Sequence, residues 1–334
     1  EAPDWWHKHS VGNMLRIEAP VRQWVWRGVL RQGKVMILSG SGGSSKSYLM
    51  LGAAVQYALN NSWGPFEACG DNADRALLLY GEEDKDDVHD RVRALRHSFM
   101  LTDDDISQIE RRVAVLPLRG TNVELAKLDP VDQQVIVTEQ LRRLEARIAE
   151  YKVKLVILDP LAMFHSLEEN DNVVIASLVR ELDAVCMRCN CAMVVVHHFG
   201  KGGALTAREV SEQNVRGASA LVAHARTVIV MHRLQRDEAT SWGVEEASHS
   251  RWVMFKIVKN NYGPTGLTHW FEVDETSGAI KPSQTQLTYL NAASIRDAAR
   301  AHADEQETLT DSEQRKARER ADAEVRHWGL VEFF

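Results

Sequence analysis

Short apolar runs alternate with helical patterns along the first two thirds of the chain, and this alternation limits the folds that the sequence can adopt. The runs are rich in Val, Ile and Leu and are bounded by turn residues; they are Val35–Ser39, Ala76–Tyr80, Val113–Leu116, Leu155–Asp159 and Ala192–His197. Near-continuous apolar strands of this kind are typical of a parallel sheet that is covered on both faces. The alternation therefore predicts an α/β fold with a mostly parallel sheet flanked by helices.

The segments between these runs carry apolar residues at helical spacing. The predicted helices are Ser47–Asn60, Asp86–Met100, Val131–Lys152 and Asn172–Arg188. Beyond about residue 225 the pattern predicts strands instead, at Thr227–Met231, Trp252–Val258 and His269–Val273. The turn sequence Gly263-Pro264-Thr265-Gly266 predicts that the last two strands form a C-terminal β-hairpin.

The composition changes after Pro282, where the chain becomes rich in Ala, Arg, Glu and Asp. Residues 286–334 carry 7 basic and 10 acidic side chains, which is typical of a small helical appendage. We therefore predict an N-terminal extension over residues 1–22, an α/β core over 23–283 and the appendage over 284–334.

The overall composition excludes several classes of protein. No apolar run approaches the ~18 residues of a membrane span, and the N-terminal residues lack the basic and apolar regions of a secretory signal. Four cysteines in 334 residues do not make a disulfide scaffold, so we expect a cytoplasmic protein without a membrane partner. The net charge of −7 argues against a surface covered with positive charge for binding duplex DNA. It does not exclude a local basic channel.

A glycine-rich and serine-rich loop follows the first of the predicted core strands. It reads Gly40-Ser41-Gly42-Gly43-Ser44-Ser45-Lys46-Ser47 and precedes the helix that begins at Ser47. This strand–loop–helix context is what a phosphate-binding loop requires, because its backbone N–H groups and the helix N-terminus surround an anion. Lys46 would meet the β- and γ-phosphates and Ser47 would bind Mg²⁺. The usual pattern has Gly before the Lys, whereas this chain has Ser45, which could weaken nucleotide binding.

Acidic residues and histidines follow three other predicted strands. Asp159 ends one of these strands and can support Mg²⁺ opposite Ser47. Glu82 follows another strand and can activate the attacking water, and Glu83 is the alternative for this role. His197 and His198 end the strand that begins at Ala192. Because the carboxyl ends of parallel strands meet at one edge of the sheet, we expect these side chains near the loop.

The cluster Cys186, Cys189 and Cys191 lies close in sequence to the two histidines and raises the alternative of a zinc site. Cys186 falls on the apolar stripe of a predicted helix, and the other two span the turn into the next strand. We therefore interpret the three as small thiols packed in the core.

Taken in order, these motifs resemble the RecA-like P-loop motor ATPases, and more narrowly the RepA-type hexameric replicative helicases of plasmids, phages and mobile elements. The pieces that carry the resemblance, over about residues 20–275, are Trp24–Trp26, Gly40–Ser47, Tyr80–Asp84 with Arg91, Leu158–Leu161, Val196–Lys201, Arg216–Leu221 and Lys259–Tyr262. The resemblance implies a RecA-like P-loop NTPase core, ATP and Mg²⁺ as cofactors, and a homo-oligomer, expected to be a hexamer.

The resemblance also implies roles for the matching residues. Nucleotide is bound by the loop, through Gly40, Gly42, Gly43, Ser44, Ser45, Lys46, Ser47 and Tyr48, and Mg²⁺ by Ser47 and Asp159. Glu82 activates water, and His198, or alternatively His197, senses the γ-phosphate. Arg226 is the candidate arginine finger that reaches the neighbouring subunit, with Arg216 as the alternative. Arg91 lies in the family's position for a basic residue near the subunit interface.

A local excess of basic residues suggests where nucleic acid would bind. Residues 200–236 carry six basic and two acidic side chains. Their net charge is therefore +4, whereas the net charge of the whole chain is −7. Copies of this segment around a pore would form a positive channel for single-stranded DNA, and Lys201 and Arg208 are the candidate phosphate contacts. An ordinary charged surface loop is the alternative.

Two functions are consistent with the sequence. The first is an ATP-hydrolysing helicase or translocase that acts on single-stranded DNA in replication of a mobile element, with a replication initiator or primase as a further candidate partner. The second is a regulatory or recombination-mediator ATPase of the same fold, which binds ATP and partners without unwinding. A degenerate nucleotide-binding scaffold ranks below both, because Glu82, Asp159 and Arg226 are all present.

Overall fold

The computed structural model of the protein describes residues 4–69, 74–169, 171–198, 206–210 and 219–290. The chain divides into two compact units. The first runs to Leu234 and resumes over Ser250–Gln286; the second comprises Gln235–His249 and the residues from Leu287 on. Residues 291–334, most of the predicted helical appendage, lie outside the described residues.

The described helices and strands alternate along the first unit as the sequence predicts. The α-helices are α1 Asp4–His9, α2 Val11–Met14, α3 Lys46–Ala58, α4 Lys85–Ser98, α5 Asp103–Arg112, α6 Glu139–Glu150, α7 Asn172–Cys189 and α8 Ser219–His224. The strands are β1 Trp24–Trp26, β2 Leu30–Arg31, β3 Lys34–Gly40, β4 Arg75–Tyr80, β5 Val113–Pro117, β6 Ala126–Leu128, β7 Val135–Val137, β8 Val153–Asp159, β9 Ala192–His198, β10 Thr227–Arg233, β11 Trp252–Asn260, β12 Thr268–Val273 and β13 Ile280–Pro282.

One nine-stranded sheet forms the centre of the first unit, in the order β13-β12-β11-β10-β3-β9-β8-β4-β5. The six strands from β10 to β5 are parallel, and the three beyond β10 are antiparallel. The central strands β3, β8 and β9 are buried along almost their whole length, as strands covered on both faces must be. The predicted α/β fold with a mostly parallel sheet is confirmed, and so is the hairpin between β11 and β12.

Helix α3 holds the phosphate-loop candidate against this sheet. Its Ala- and Leu-rich sequence is buried on nearly every side, and a Cβ atom built on Gly52 would meet the rings of Trp63 and Phe99. A helix packed all round cannot shift without opening cavities, so its N-terminus is held firmly at the end of β3. No helix in the described part of the chain has the length and apolar character that a bilayer crossing requires.

The prediction of one long helix over Val131–Lys152 is wrong. The N-terminal part of that segment forms β7, which pairs with β6, and the helix α6 begins only at Glu139. The β-branched run Val135-Ile136-Val137 favours a strand, and Gln133 has a left-handed backbone (φ 57°) that a helix interior excludes. Thr138 then caps α6 by accepting a hydrogen bond from the backbone N–H of Leu141.

Candidate functional site

The loop between β3 and α3 closes around the side chain of Lys46. Its Nζ donates hydrogen bonds to the carbonyl oxygens of Gly40 (3.0 Å) and Ser41 (2.7 Å) and to Oγ of Ser44 (3.3 Å). The side chain is buried, and burial lowers the pKa of Lys46 to about 8, against the opposing effect of Asp159 and Glu82. A buried cation at a helix N-terminus is an electrostatic arrangement that favours an anion.

Gly40 is the point of closest approach between the loop and the neighbouring strand β10. A Cβ atom built on it would lie 2.5 Å from the carbonyl oxygen of Met231 and 2.9 Å from Oγ of Ser44. The first of these atoms is backbone and cannot rotate away. A side chain at this position would therefore force β10 and β3 apart.

We expect Gly40→Ala to lower the free energy of unfolding by about 1–3 kcal/mol, because overpacking at a backbone contact is relieved only by moving a strand. Gly42→Ala is the matched control, since a Cβ there meets nothing within 4 Å. Chemical denaturation of the two variants measures the difference. Equal stabilities would show that the sheet accommodates the methyl group at Gly40.

Ser45 occupies the position where the phosphate-loop pattern has Gly. Its backbone is left-handed (φ 63°, ψ 26°), so the serine adopts the conformation that a glycine would supply. For a residue with a side chain, this conformation costs about 1–2 kcal/mol. The Ser45 hydroxyl accepts a hydrogen bond of 2.8 Å from Nη2 of Arg233. The substitution thus keeps the course of the loop and adds a contact that glycine cannot make.

Ser47 and Asp159 meet on the sheet side of the loop. Asp159 is buried at the end of β8, close enough to the Ser47 hydroxyl for that hydroxyl to influence the pKa of its carboxyl. Burial raises the pKa of Asp159, while Ser47 and Lys46 act in the opposite direction. The second carboxylate oxygen, Oδ2, is buried without a hydrogen-bond partner among the described residues. A hydroxyl and an orphaned carboxylate oxygen are ligands that Mg²⁺ prefers, so these two residues fit the predicted metal.

Glu82 and His198 face each other at the same edge of the sheet. Nε2 of His198 lies 3.9 Å from Oε2 of Glu82, and His198 pairs in register with Gly40. More than half of the Glu82 side chain is exposed, so water reaches its carboxylate. Burial, with Lys46 nearby, lowers the pKa of His198, which favours the neutral imidazole at pH 7. The edge thus brings together a carboxylate, a neutral histidine and the loop lysine.

His197, the alternative to His198, is buried and pairs with Ser39. Successive side chains of a strand point to opposite faces of the sheet, so His197 and His198 do not share a face. Burial lowers the pKa of His197 as well. Of the two histidines, His198 is the one that meets Glu82.

Glu83, the alternative to Glu82, is held in an ion pair. Its Oε1 meets Nη2 of Arg91, and the Arg91 guanidinium lies 4.8 Å above the ring of Tyr48. The Tyr48 hydroxyl donates to the carbonyl of Ser277 (2.8 Å). Tyr48, predicted to bind nucleotide, therefore contacts Arg91 and the turn after β12 through its ring and hydroxyl. Burial raises the pKa of Glu83 to about 7, and Arg91 opposes that rise.

The raised pKa of Glu83 should make the free energy of unfolding depend on pH. An acid whose folded-state pKa is higher than its value of 4.5 in the unfolded chain stabilises the fold below that value and loses this contribution as the pH rises toward about 7. We expect the free energy of unfolding of Glu83→Gln to fall less than that of the wild type between these pH values, by a margin on the order of 1 kcal/mol. Denaturation at several pH values tests the slope; parallel slopes would contradict the assignment to Glu83.

Arg226 lies far from the loop of its own chain. It immediately precedes β10, whose Thr227 pairs with Met36 and whose Met231 pairs with Gly40, so it stands at the opposite edge of the parallel sheet. Its side chain is exposed. Arg208, the other described candidate, is also exposed, while Lys201 and Arg216 lie outside the described residues.

Two residues of the site were given no role at the loop from the sequence. Tyr80 is buried and donates its hydroxyl proton to the carbonyl of Ser47 (3.0 Å), and Arg233 contacts Ser45. The signal for Arg233 was its place two residues after the predicted strand Thr227–Met231, because the ends of parallel strands meet at the loop. Cys186 and Cys191 are buried free thiols, and within the described residues no three His, Cys, Asp or Glu side chains come together in a group that could hold a metal.

The geometry is therefore that of a phosphate-binding loop, with a candidate metal pair and an exposed carboxylate at one edge of a parallel sheet. The sequence also matches the AAA_25 family, described as an AAA domain, over residues 7–204. That match spans more than half of the chain and includes the loop, Glu82, Asp159 and His198. The chain belongs to this AAA domain family and is a P-loop ATPase.

Proposed function

We propose that the protein is an ATP-hydrolysing, ring-forming translocase or helicase that acts on single-stranded DNA in the replication of a mobile element. One observation supports the formation of a ring. The candidate nucleotide-binding residues lie at one edge of the sheet, whereas Arg226 lies at the opposite edge. The motifs that resemble the RepA-type helicases, in the same order along the chain, support the narrower assignment.

The residues at the loop suggest how hydrolysis proceeds. The backbone N–H groups of the loop and the Lys46 ammonium hold the β- and γ-phosphates. Glu82, exposed to solvent and 3.9 Å from His198, accepts the proton of the attacking water, and His198 hydrogen-bonds to the γ-phosphate or to that water. Ser47 and Asp159 would hold Mg²⁺, which would supply positive charge near the phosphate oxygens.

The arginine finger has to come from another subunit. Met231, the partner of Gly40, is five positions after Arg226. A strand rises ~3.3 Å per residue, so the two positions are roughly 16 Å apart. A side chain at that distance cannot reach the γ-phosphate of its own loop. In a head-to-tail ring, the same edge of one subunit would meet the loop edge of the next. Hydrolysis then depends on the subunit interface, as a motor requires.

Single-stranded DNA is the proposed substrate of the ring because of the basic segment over residues 200–236. Arg208 is exposed there, and Lys201 is the second candidate. Contacts to phosphates from repeated copies of such a segment give binding that tolerates any base sequence and weakens with salt.

The test is ATP hydrolysis by the purified protein with and without a single-stranded oligonucleotide, at low and moderate salt. We expect the strand to stimulate turnover several-fold at low salt and less at moderate salt. The matched variant is Arg208→Ala, which should reduce the stimulation without changing basal turnover. Steady hydrolysis that no oligonucleotide changes would favour the regulatory or recombination-mediator ATPase instead.

A further inference from the structure

Arg233 lies beside the phosphate loop of its own chain. It ends β10, the strand next to β3. Met231 pairs with Gly40, where the loop begins, and Arg233 lies two residues beyond Met231. Its Nη2 donates a 2.8 Å hydrogen bond to Oγ of Ser45, the residue directly before Lys46. The guanidinium is half-buried at this position.

The charges at this position favour an anion in the loop. Arg233 and Lys46 bring two positive charges to the N-terminus of α3, where the helix dipole already disfavours cations. Burial lowers the pKa of Arg233, and Glu275 only partly offsets it. A phosphate group in the loop would attract both cations and the helix N-terminus at once.

The order of the strands assigns Arg233 to one end of a bound triphosphate. Glu82, Asp159 and His198 follow or end β4, β8 and β9, which all lie on one side of β3, whereas β10 lies on the other side. A triphosphate whose γ-phosphate meets Glu82 and His198 therefore has its α-phosphate and nucleoside toward β10.

Building on the proposed ATPase function, we propose that Arg233 binds nucleotide in cis, at the α-phosphate side of the site, and that Ser45 positions its guanidinium. Ser45, which stands where the phosphate-loop pattern has Gly, then has a role as the acceptor for Arg233. Glycine would adopt the left-handed backbone without cost, but it has no hydroxyl to accept the hydrogen bond from Arg233.

Binding of ADP and of a non-hydrolysable ATP analogue, measured by titration calorimetry in the presence of Mg²⁺, tests the proposal. We expect Arg233→Met to weaken both ligands by a similar factor of about ten to one hundred, because both carry the α-phosphate. Ser45→Ala keeps the cation and removes its acceptor, so its loss should be smaller. Arg236→Met is the matched control: this arginine, three residues further on, pairs with Glu246 and should bind both ligands as the wild type does.

Arg233→Gln is the second variant in case the methionine substitution prevents folding, because its amide can still donate to Ser45 while the charge is gone. Wild-type affinity in a folded Arg233→Met or Arg233→Gln variant would overturn the proposal and leave the ATPase function intact. A loss confined to the ATP analogue would also overturn it, since that result indicates a γ-phosphate contact. If the folded wild type binds neither ligand, the proposed function fails, and this inference fails with it.

Discussion

Lys46→Ala should abolish ATP hydrolysis, with a decrease of about a thousandfold or more in turnover. The ammonium is the only side-chain cation among the described residues that donates hydrogen bonds to both Gly40 and Ser41 of the loop, and it lies in the field of Asp159 and Glu82. Its removal leaves the transferred phosphoryl group without its nearest positive charge. Nucleotide affinity should fall as well, which calorimetry with ADP would measure.

The fold should survive this substitution. Lys46 has a folded-state pKa of about 8, below its ordinary value of 10.5, so its stabilising contribution is present above the ordinary value and is lost as the pH falls through 8. At pH 7 the buried charge therefore disfavours the folded state, and its removal offsets the three lost hydrogen bonds.

Lys34→Ala is the matched control for Lys46→Ala, because Lys34 begins β3, at the end of that strand away from the loop, and pairs with Asp183 (3.1 Å). Its turnover should stay close to that of the wild type. Thermal unfolding of both variants separates lost activity from lost structure. Wild-type turnover in Lys46→Ala would remove this lysine from the mechanism.

The sheet and the position of the site could be predicted from the sequence because both depend on local patterns. Apolar runs bounded by turns located the strands that flank β3, and the rule that parallel strands end at one edge brought Glu82, Asp159 and His198 to the loop. The same reasoning failed for Val131–Lys152. The charged residues of this segment favoured a helix throughout, although its β-branched run forms the strand β7. Helix α5 was also missed, although Thr102 and Asp105 form a capping box at its start.

Choices between neighbouring residues needed the three-dimensional structure. Glu82 and Glu83 are adjacent in sequence, yet only the fold brings Arg91 to Glu83 and leaves Glu82 facing His198. Ser45 is a similar case. The sequence showed a departure from the phosphate-loop pattern, but its left-handed backbone and its contact with Arg233 arise from the pairing of β10 with β3.

Arg226→Ala should lower turnover by about a thousandfold or more while leaving nucleotide affinity unchanged, because a finger supplied in trans acts on the transition state of the neighbouring site. Mixing with Glu82→Gln subunits should restore part of the activity. In a mixed ring, an Arg226→Ala subunit contributes an intact loop and Glu82, and a Glu82→Gln neighbour contributes an intact arginine. With random assembly at equal amounts, about one interface in four is of this kind.

A mixture of Lys46→Ala with Glu82→Gln is the control, since both substitutions damage the same side of the interface and no pairing of these subunits yields an intact site. Turnover measured across a series of mixing ratios should pass through a maximum near equal amounts for the first mixture and stay flat for the second. Recovery in neither mixture would contradict the trans assignment of Arg226. Recovery in both would point to exchange of residual wild-type subunits, which a preparation of each variant alone would reveal as background turnover. A maximum in the first mixture alone requires that Arg226, at the far edge of the sheet from its own loop, complete the site of another chain.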